Sequence, residues 1–137
     1  MALCTCAALA LALAIVALCS GSAAVAIVAL PFAIDFSVLF NGFIAWPAFQ
    51  SAGWAWINFL SYMSYAYAGV AQNELAGLEI VCEPEELNAA GACPSGDDFL
   101  AEVGLTSESV GENAACMVAY AAVAHLVGYL GFRFLKR

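Results

Sequence analysis

The stretch that decides the fold is AACMVAYAAVAHLVGYLGF at residues 114–132, which the basic tail RFLKR at residues 133–137 follows directly. The stretch contains no Asp, Glu, Lys or Arg. At about 1.5 Å per residue, such a helix nearly crosses a hydrocarbon core about 30 Å thick. Because basic residues beside a span favour the cytoplasmic side, the sequence predicts a transmembrane helix at 114–132 and a cytoplasmic tail at 133–137.

The composition of the whole chain supports a membrane protein. The 137 residues are 65% hydrophobic and 10% charged, whereas a soluble domain carries about 25% charged residues. We therefore predict an all-α integral membrane protein surrounded by membrane lipid. Only three basic residues stand against eleven acidic ones, which argues against a nucleic-acid partner, since phosphate contacts need Lys and Arg.

The charges are segregated along the chain. All three basic residues lie in the last five positions, and ten of the eleven acids lie between residues 74 and 112. The segment 73–112 is also interrupted by Gly and Pro, so we predict an extracellular loop there, on the side opposite the tail. Localisation is predicted as multi-pass, in the plasma membrane or an endomembrane.

Two further spans are predicted upstream. Residues 2–19 form an unbroken apolar run, and residues 23–46 form a second one after a short polar break. Residues 54–70 are aromatic and dotted with hydroxyls, which favours re-entrant helices over a full crossing. A rival interpretation makes residues 1–22 a secretory signal peptide, but the positive residues that normally precede the apolar run are missing.

Asp35 is the one acid inside an apolar run. A charged Asp at the centre of a membrane helix costs about 2.5–3.5 kcal/mol, so we expect it to point inward, away from lipid. Counted along the helices, His125 lies at a similar depth, within about one helical turn. Two alternatives stay open: a direct or water-bridged contact with His125, or a solitary Asp35 in a wet cavity with His125 packed and neutral.

Small residues on the last span predict helix packing. Ala124 and Gly128 are four residues apart and share a face, which Gly131 adjoins. Small faces let helices approach closely in lipid.

The six cysteines divide by location. Cys82 and Cys93 are the two that lie in the predicted extracellular loop, where an oxidising compartment would favour a disulfide. A bond between them closes a small loop and contributes roughly 3 kcal/mol by the chain-entropy estimate. The other four lie in or beside apolar runs and are expected to be free fillers.

Motifs for catalysis are missing from the sequence. It contains no P-loop, and its one Lys, Lys136, lies in the tail. We therefore expect no enzymatic activity from this chain itself, no metal site and no cofactor.

The order of elements resembles a known family. The pattern is a span, a short turn, a span ending LFNGFI at 39–44, aromatic re-entrant helices, Asn73-Glu74, a Cys-bearing loop with GDDFL at 96–100, and a last span with a basic tail. From about Ala8 onward this resembles the C-terminal part of the membrane domain of ABC transporters of subfamily G, the White and breast-cancer-resistance-protein type.

The resemblance implies a partial membrane domain of an ATP-driven exporter of lipids, sterols or amphipathic compounds. ATP and Mg²⁺ would bind in a nucleotide-binding domain of the full-length parent, which would be an ATP-hydrolysing translocase, and a second half-transporter would complete a homo- or heterodimer. By position, Phe32, Asp35 and Val38 would face the substrate cavity, while Phe43 and Ile44 would form an outer gate. Plain helix packing is the alternative for the Phe and Val side chains. Cys82 and Cys93 match the family's intraloop disulfide.

Two other classes remain as alternatives. One is a small self-contained membrane scaffold, although the Cys-Cys-Gly of a tetraspanin loop is missing. The other is a single-span protein left after signal-peptide cleavage.

Overall fold

A computed structural model describes residues 2–19, 22–44, 53, 55–79, 81, 93–106 and 109–135. Within these ranges the helices are α1 (Ala2–Leu18), α2 (Ala23–Leu39), a 3-10 helix (Ala55–Leu60), α3 (Tyr62–Leu75), α4 (Gly96–Val103) and α5 (Val110–Phe134). The described residues form no β-strand, only one isolated bridge between Glu79 and Ser95. The predicted all-α class is confirmed for this part of the chain.

The helix bounds differ from the predicted segments chiefly at α2, α3 and α5. Helix α2 ends at Leu39 because a turn at residues 40–44 follows it. The predicted span continued to residue 46. Helix α3 continues to Leu75, whereas the predicted re-entrant segment ended at residue 70 and the predicted extracellular loop began at residue 73. Helix α5 begins at Val110, before the predicted start at residue 114. Its first turn is held by a capping box, in which Ser109 and Glu112 each accept a hydrogen bond from the other's backbone N–H.

Helices α1 and α5 pack closely through small residues. The buried face of α1 consists of alanines spaced alternately three and four residues apart: Ala7, Ala10, Ala14 and Ala17. A Cβ placed on Gly128 would lie 3.4 Å from the Ala14 backbone nitrogen, and one on Gly131 would lie 2.8 Å from the Ala17 Cβ. Both pairs advance in the same direction, so the two helices run parallel. We call this contact the small-residue seam.

A second contact joins α3 to α4 and to the connection that follows α4. Four buried residues form its centre, with Tyr67, Ala68, Leu75 and Phe99 packed around them: Ala71, Leu100, Val103 and Leu105. The start of α4 approaches the end of α3 so closely that a Cβ on Gly96 would overlap the Leu75 carbonyl oxygen. Glycine is therefore required at position 96.

A buried polar network locks the same region. The Gln72 side-chain amide donates to the Leu105 carbonyl at 2.6 Å. The Asn113 amide donates to the Gln72 side-chain oxygen at 3.1 Å and to the Ser109 carbonyl at 3.3 Å. Because unpaired buried polar groups are costly, these bonds fix α3, α5 and the connection before α5 in one arrangement.

A buried hydrogen bond holds the C-terminal end of helix α2. Ser37 is its one buried residue, and the Ser37 carbonyl accepts a 2.8 Å hydrogen bond from the fully buried Ser61 hydroxyl. The same Ser61 oxygen caps α3 by accepting from the Ser64 N–H at 3.3 Å. Tyr62 next to it lies near Cys4 at the start of α1. Helix α2 therefore runs antiparallel to α1.

One helix in the described part of the chain is long and apolar enough to cross a membrane. This is α5, whose 25 residues span about 37 Å at about 1.5 Å per residue. Helices α1 and α2 are apolar but have 17 residues each, or about 25 Å. The three predicted crossings therefore stay a prediction.

Candidate functional site

Three of the predicted pathway residues lie on one exposed side of α2. Phe32, Asp35 and Val38 are spaced three residues apart, so they occupy an arc of about 120° on the helix surface. All three are exposed, and Phe32 retains 74% of its accessible surface. Towards the start of α2 the same helix carries an open groove of about 590 Å³, lined by Ala24, Val25, Val28, Ala29 and Phe32. We call this exposed side of α2, which carries Phe32, Asp35 and Val38, the α2 wall. It is an apolar surface with a single carboxylate in it.

A compact turn at residues 41–44 follows the C-terminal end of α2. The Asn41 side-chain oxygen accepts hydrogen bonds from the N–H groups of Phe43 at 2.8 Å and Ile44 at 3.1 Å. Gly42, which lies between Asn41 and Phe43, has a φ of +87°, a conformation that favours glycine. The turn satisfies two backbone donors internally and leaves the Phe43 and Ile44 side chains exposed.

Tyr67 of α3 supports that turn. Its ring meets the Phe43 ring edge to face, with centroids 5.8 Å apart. A Cβ on Gly42 would lie 3.3 Å from the Tyr67 Cδ1, so the turn backbone rests directly on the ring. Sequence reasoning did not single out Tyr67, although its place in the aromatic run before Asn73 was a usable signal.

Asp35 and His125 are both exposed, on α2 and α5 respectively. Among the described residues neither side chain forms a hydrogen bond or an ion pair. The structure thus places the carboxylate on the open wall beside Phe32 and Val38, where water or a ligand can reach it.

Two of the three residues predicted to pack the last helix lie in the seam. Gly128 and Gly131 are buried against Ala14 and Ala17, and Ala124 is partly buried on the same helix. Their partner face on α1 was not anticipated, although its regular alanine spacing could have revealed it.

The cysteines fall into two groups. Four described cysteines are free: Cys4, Cys6, Cys19 and Cys116. Cys93 is disulfide-bonded. Cys82, its predicted partner, lies outside the described residues, so the pairing stays a prediction.

Acidic side chains organise the loop region through hydrogen bonds to backbone. Both carboxylate oxygens of Asp97 accept from the Gly77 N–H, at 3.2 and 3.3 Å, which ties α4 to the end of α3. Asp98 and Ser95 form the capping box of α4. Hydrogen bonds from the Ser95 N–H, and then from its hydroxyl, hold the pKa of Asp98 below its ordinary value.

The two capping boxes were missed at the sequence level, although Ser followed three residues later by Asp or Glu is their known signature. No group of three or more His, Cys, Asp or Glu within the described ranges could hold a metal ion. The chemistry available here is therefore apolar contact, hydroxyl and amide hydrogen bonding, and carboxylate charge.

Comparison with known proteins gives one partial likeness. No family model matches the sequence. Over 65 residues, or 47% of its length, the chain is 35% identical to ABC transporter G family member 2 of Dictyostelium discoideum. The matched region is 5% of that protein's length, so the chain corresponds to a small part of this relative. The likeness agrees with the resemblance inferred from the order of elements and is limited to that stretch.

Proposed function

We propose that the chain forms part of the membrane domain of a subfamily G ABC exporter. In that role it supplies one wall of the transmembrane pathway for lipids, sterols or amphipathic compounds. The observation that carries the proposal is the 35% identity to an ABC transporter G family member over 65 residues. The apolar α5 and the exposed wall of α2 are the parts of the molecule that such a role would use.

The helix directions support this role. Parallel α1 and α5 with an antiparallel α2 is the arrangement that three crossings would need, with α3 and α4 gathered at one end. The acids of α4 lie at that end, and Arg133 lies at the opposite end of α5. The Arg133 guanidinium donates to the Tyr129 hydroxyl at 2.9 Å and lies over the Phe134 ring, a pairing typical of a helix end at a membrane surface.

Energy for transport would come from elsewhere. The chain has no P-loop, so ATP and Mg²⁺ would bind in a nucleotide-binding domain of the parent protein, and a second half-transporter would face the α2 wall. On this proposal Phe32, Asp35 and Val38 contact the substrate, while Phe43 and Ile44 form the outlet. Asp35 then favours cationic or hydroxyl-bearing amphiphiles over anionic ones, because a carboxylate in a low-dielectric cavity attracts positive charge.

The test is transport by the full-length parent of matched cationic and anionic amphiphiles. Asp35→Val and Asp35→Asn should both lower the cationic-to-anionic rate ratio by about tenfold, the equivalent of one charge-assisted contact. Asp35→Asn keeps the size of the side chain and therefore isolates the charge. Glu102→Gln on α4 removes an exposed acid away from the wall and should leave the ratio unchanged. Equal ratios in the parent and both Asp35 variants would exclude a role for this carboxylate in selectivity.

The orientation has its own test. A tag placed after Arg137 should resist protease added to intact cells, while the segment between α3 and α4 should be cut. Cleavage of the tag in sealed cells would reverse the proposed topology.

A further inference from the structure

A cavity of about 690 Å³ lies between the start of α1, one face of α3 and the first half of α5. It is separate from the exposed side of α2. Asn41 and Tyr67 line the cavity and also hold the turn that follows α2. Its volume falls in the range of sites for drug-sized ligands, about 300–1,000 Å³. Nothing in the proposed transport role uses this cavity.

The lining is graded from apolar to polar along α3. Residues 63, 66, 67, 70 and 74 follow the three- and four-residue spacing of one helix face, and all of them line the cavity. Met63 lies at one end of this face and Glu74 at the other. Because Tyr62 contacts Tyr120 while Gly69 meets Asn113, α3 and α5 run antiparallel. Met117 therefore lies towards the Met63 end and Val110 towards the Glu74 end.

The polar end carries a single negative charge. Glu74 is exposed and accepts a 3.1 Å hydrogen bond from the Asn73 side-chain amide, a neutral donor. Arg133 is the one Lys or Arg in the described part of the chain. It lies about 34 Å from Val110 along α5 at about 1.5 Å per residue. No cation within the described residues neutralises this carboxylate.

We propose that this cavity binds an amphiphile with a protonated amine headgroup. The ammonium group pairs with the Glu74 carboxylate in a charge-assisted hydrogen bond. The apolar body lies along α3 and α5 towards Met63 and Met117, whose flexible thioether side chains adapt to different shapes. The site is independent of the proposed transport function, because binding requires only this chain.

The experiment is photolabelling of the 137-residue chain in phosphatidylcholine nanodiscs. The probe is an alkyl primary amine with a diazirine in its chain, and labelled peptides are identified by mass spectrometry. Labelling should fall on the facing segments of α3 and α5 and should be displaced by octylamine, but not by octanol or octanoate. Glu74→Gln should reduce the labelling about tenfold. The matched control Glu102→Gln, an exposed acid outside the cavity, should leave it unchanged.

A second variant tests the cavity separately from the charge. Met117→Trp fills the apolar end and should also abolish labelling, while the helical circular dichroism of the chain is retained. Nanodiscs that contain phosphatidylethanolamine distinguish a lipid source of the amine, because this lipid would then compete with the probe. Labelling spread evenly over all helices, or equal displacement by octanoate and octylamine, would overturn the proposal. Failure of the Asp35 transport test would leave this result unaffected.

Discussion

Helices α1 and α2 are alike in length and apolar character but differ in burial. Each has 17 residues and no basic side chain. Helix α1 buries four alanines against α5, whereas α2 buries Ser37 alone. The exposed side of α2 carries large residues, including Ile27 and Val28 at 71% exposure each.

The difference shows that apolar character alone does not decide which helix packs closely. In lipid there is no hydrophobic force between apolar helices, so close van der Waals contact decides. Alanines on α1 meet glycines on α5 and let the backbones approach. The side of α2 that carries its branched and aromatic side chains stays exposed, so this surface remains available for lipid or, on the proposed function, for other parts of a transporter.

The largest expected effect comes from enlarging a glycine of the seam. In Gly131→Ala the new Cβ would lie 2.8 Å from that of Ala17, so one of the helices must shift. Overpacking of this kind costs about 1–3 kcal/mol, and the bulkier Gly128→Leu should cost more. Unfolding of the chain in mixed micelles, followed by circular dichroism on titration with SDS, measures the loss.

The control for this experiment lies on the same helix. A Cβ on Gly111 would meet only the Ser109 hydroxyl oxygen, at 3.9 Å. Gly111→Ala should therefore be neutral or slightly stabilising, since alanine favours a helix over glycine by up to about 1 kcal/mol. If Gly131→Ala were as stable as Gly111→Ala, α1 and α5 would not pack through this seam.

An intermediate effect is expected at the C-terminal end of α2, where Ser61 binds the Ser37 carbonyl. Ser61→Ala removes the cap of α3 and the hydrogen bond to the Ser37 carbonyl together. The loss should be about 1–2 kcal/mol in the same micelle titration. Ser22→Ala is the matched control, because Ser22 stands at the N-cap of α2 without a side-chain capping bond. Equal stability of the two variants would mean that α2 is not fastened through Ser61.

The sequence predicted those features that depend on residue type along the chain. Apolar runs placed α1, α2 and α5, and the hydroxyl-rich aromatic run placed the 3-10 helix and α3 between them. The end of α2 at Leu39 was missed. Apolar residues continue past that point, and the Asn41 turn depends on one side-chain hydrogen-bond acceptor and a positive φ at Gly42.

Features that depend on which helices meet could not be predicted in the same way. The Ala14–Gly128 contact and the Gln72–Asn113 hydrogen bond join residues far apart in the chain, and many small or polar residues offered equal alternatives. The cavity beside α3 is formed by those helices together, so it could not be predicted from the sequence either. Asp35 stood out early because a carboxylate is rare in an apolar run, whereas Glu74 was noted only as part of the Asn73-Glu74 pair of the family pattern and not as the lining of a cavity.

The smallest effect is expected on the exposed side of α2, where one substitution type can be compared at two sites. Val28 is 71% exposed, and Val103 of α4 is fully buried. Val→Ala gains a small helix propensity at Val28 inside α2 and less at Val103, the last residue of α4, so most of the difference between the variants reports burial. Val103→Ala should lose about 1–2 kcal/mol of stability, from two buried methyl equivalents at about 0.8 kcal/mol each, whereas Val28→Ala should stay within about 0.5 kcal/mol of the parent chain. The same pair in a full-length transporter sharpens the comparison: a loss for Val28→Ala only there would mean that another part of the transporter covers this face. A loss of equal size for both variants in the isolated chain would instead mean that α2 is already packed, and the contrast between α1 and α2 would not hold.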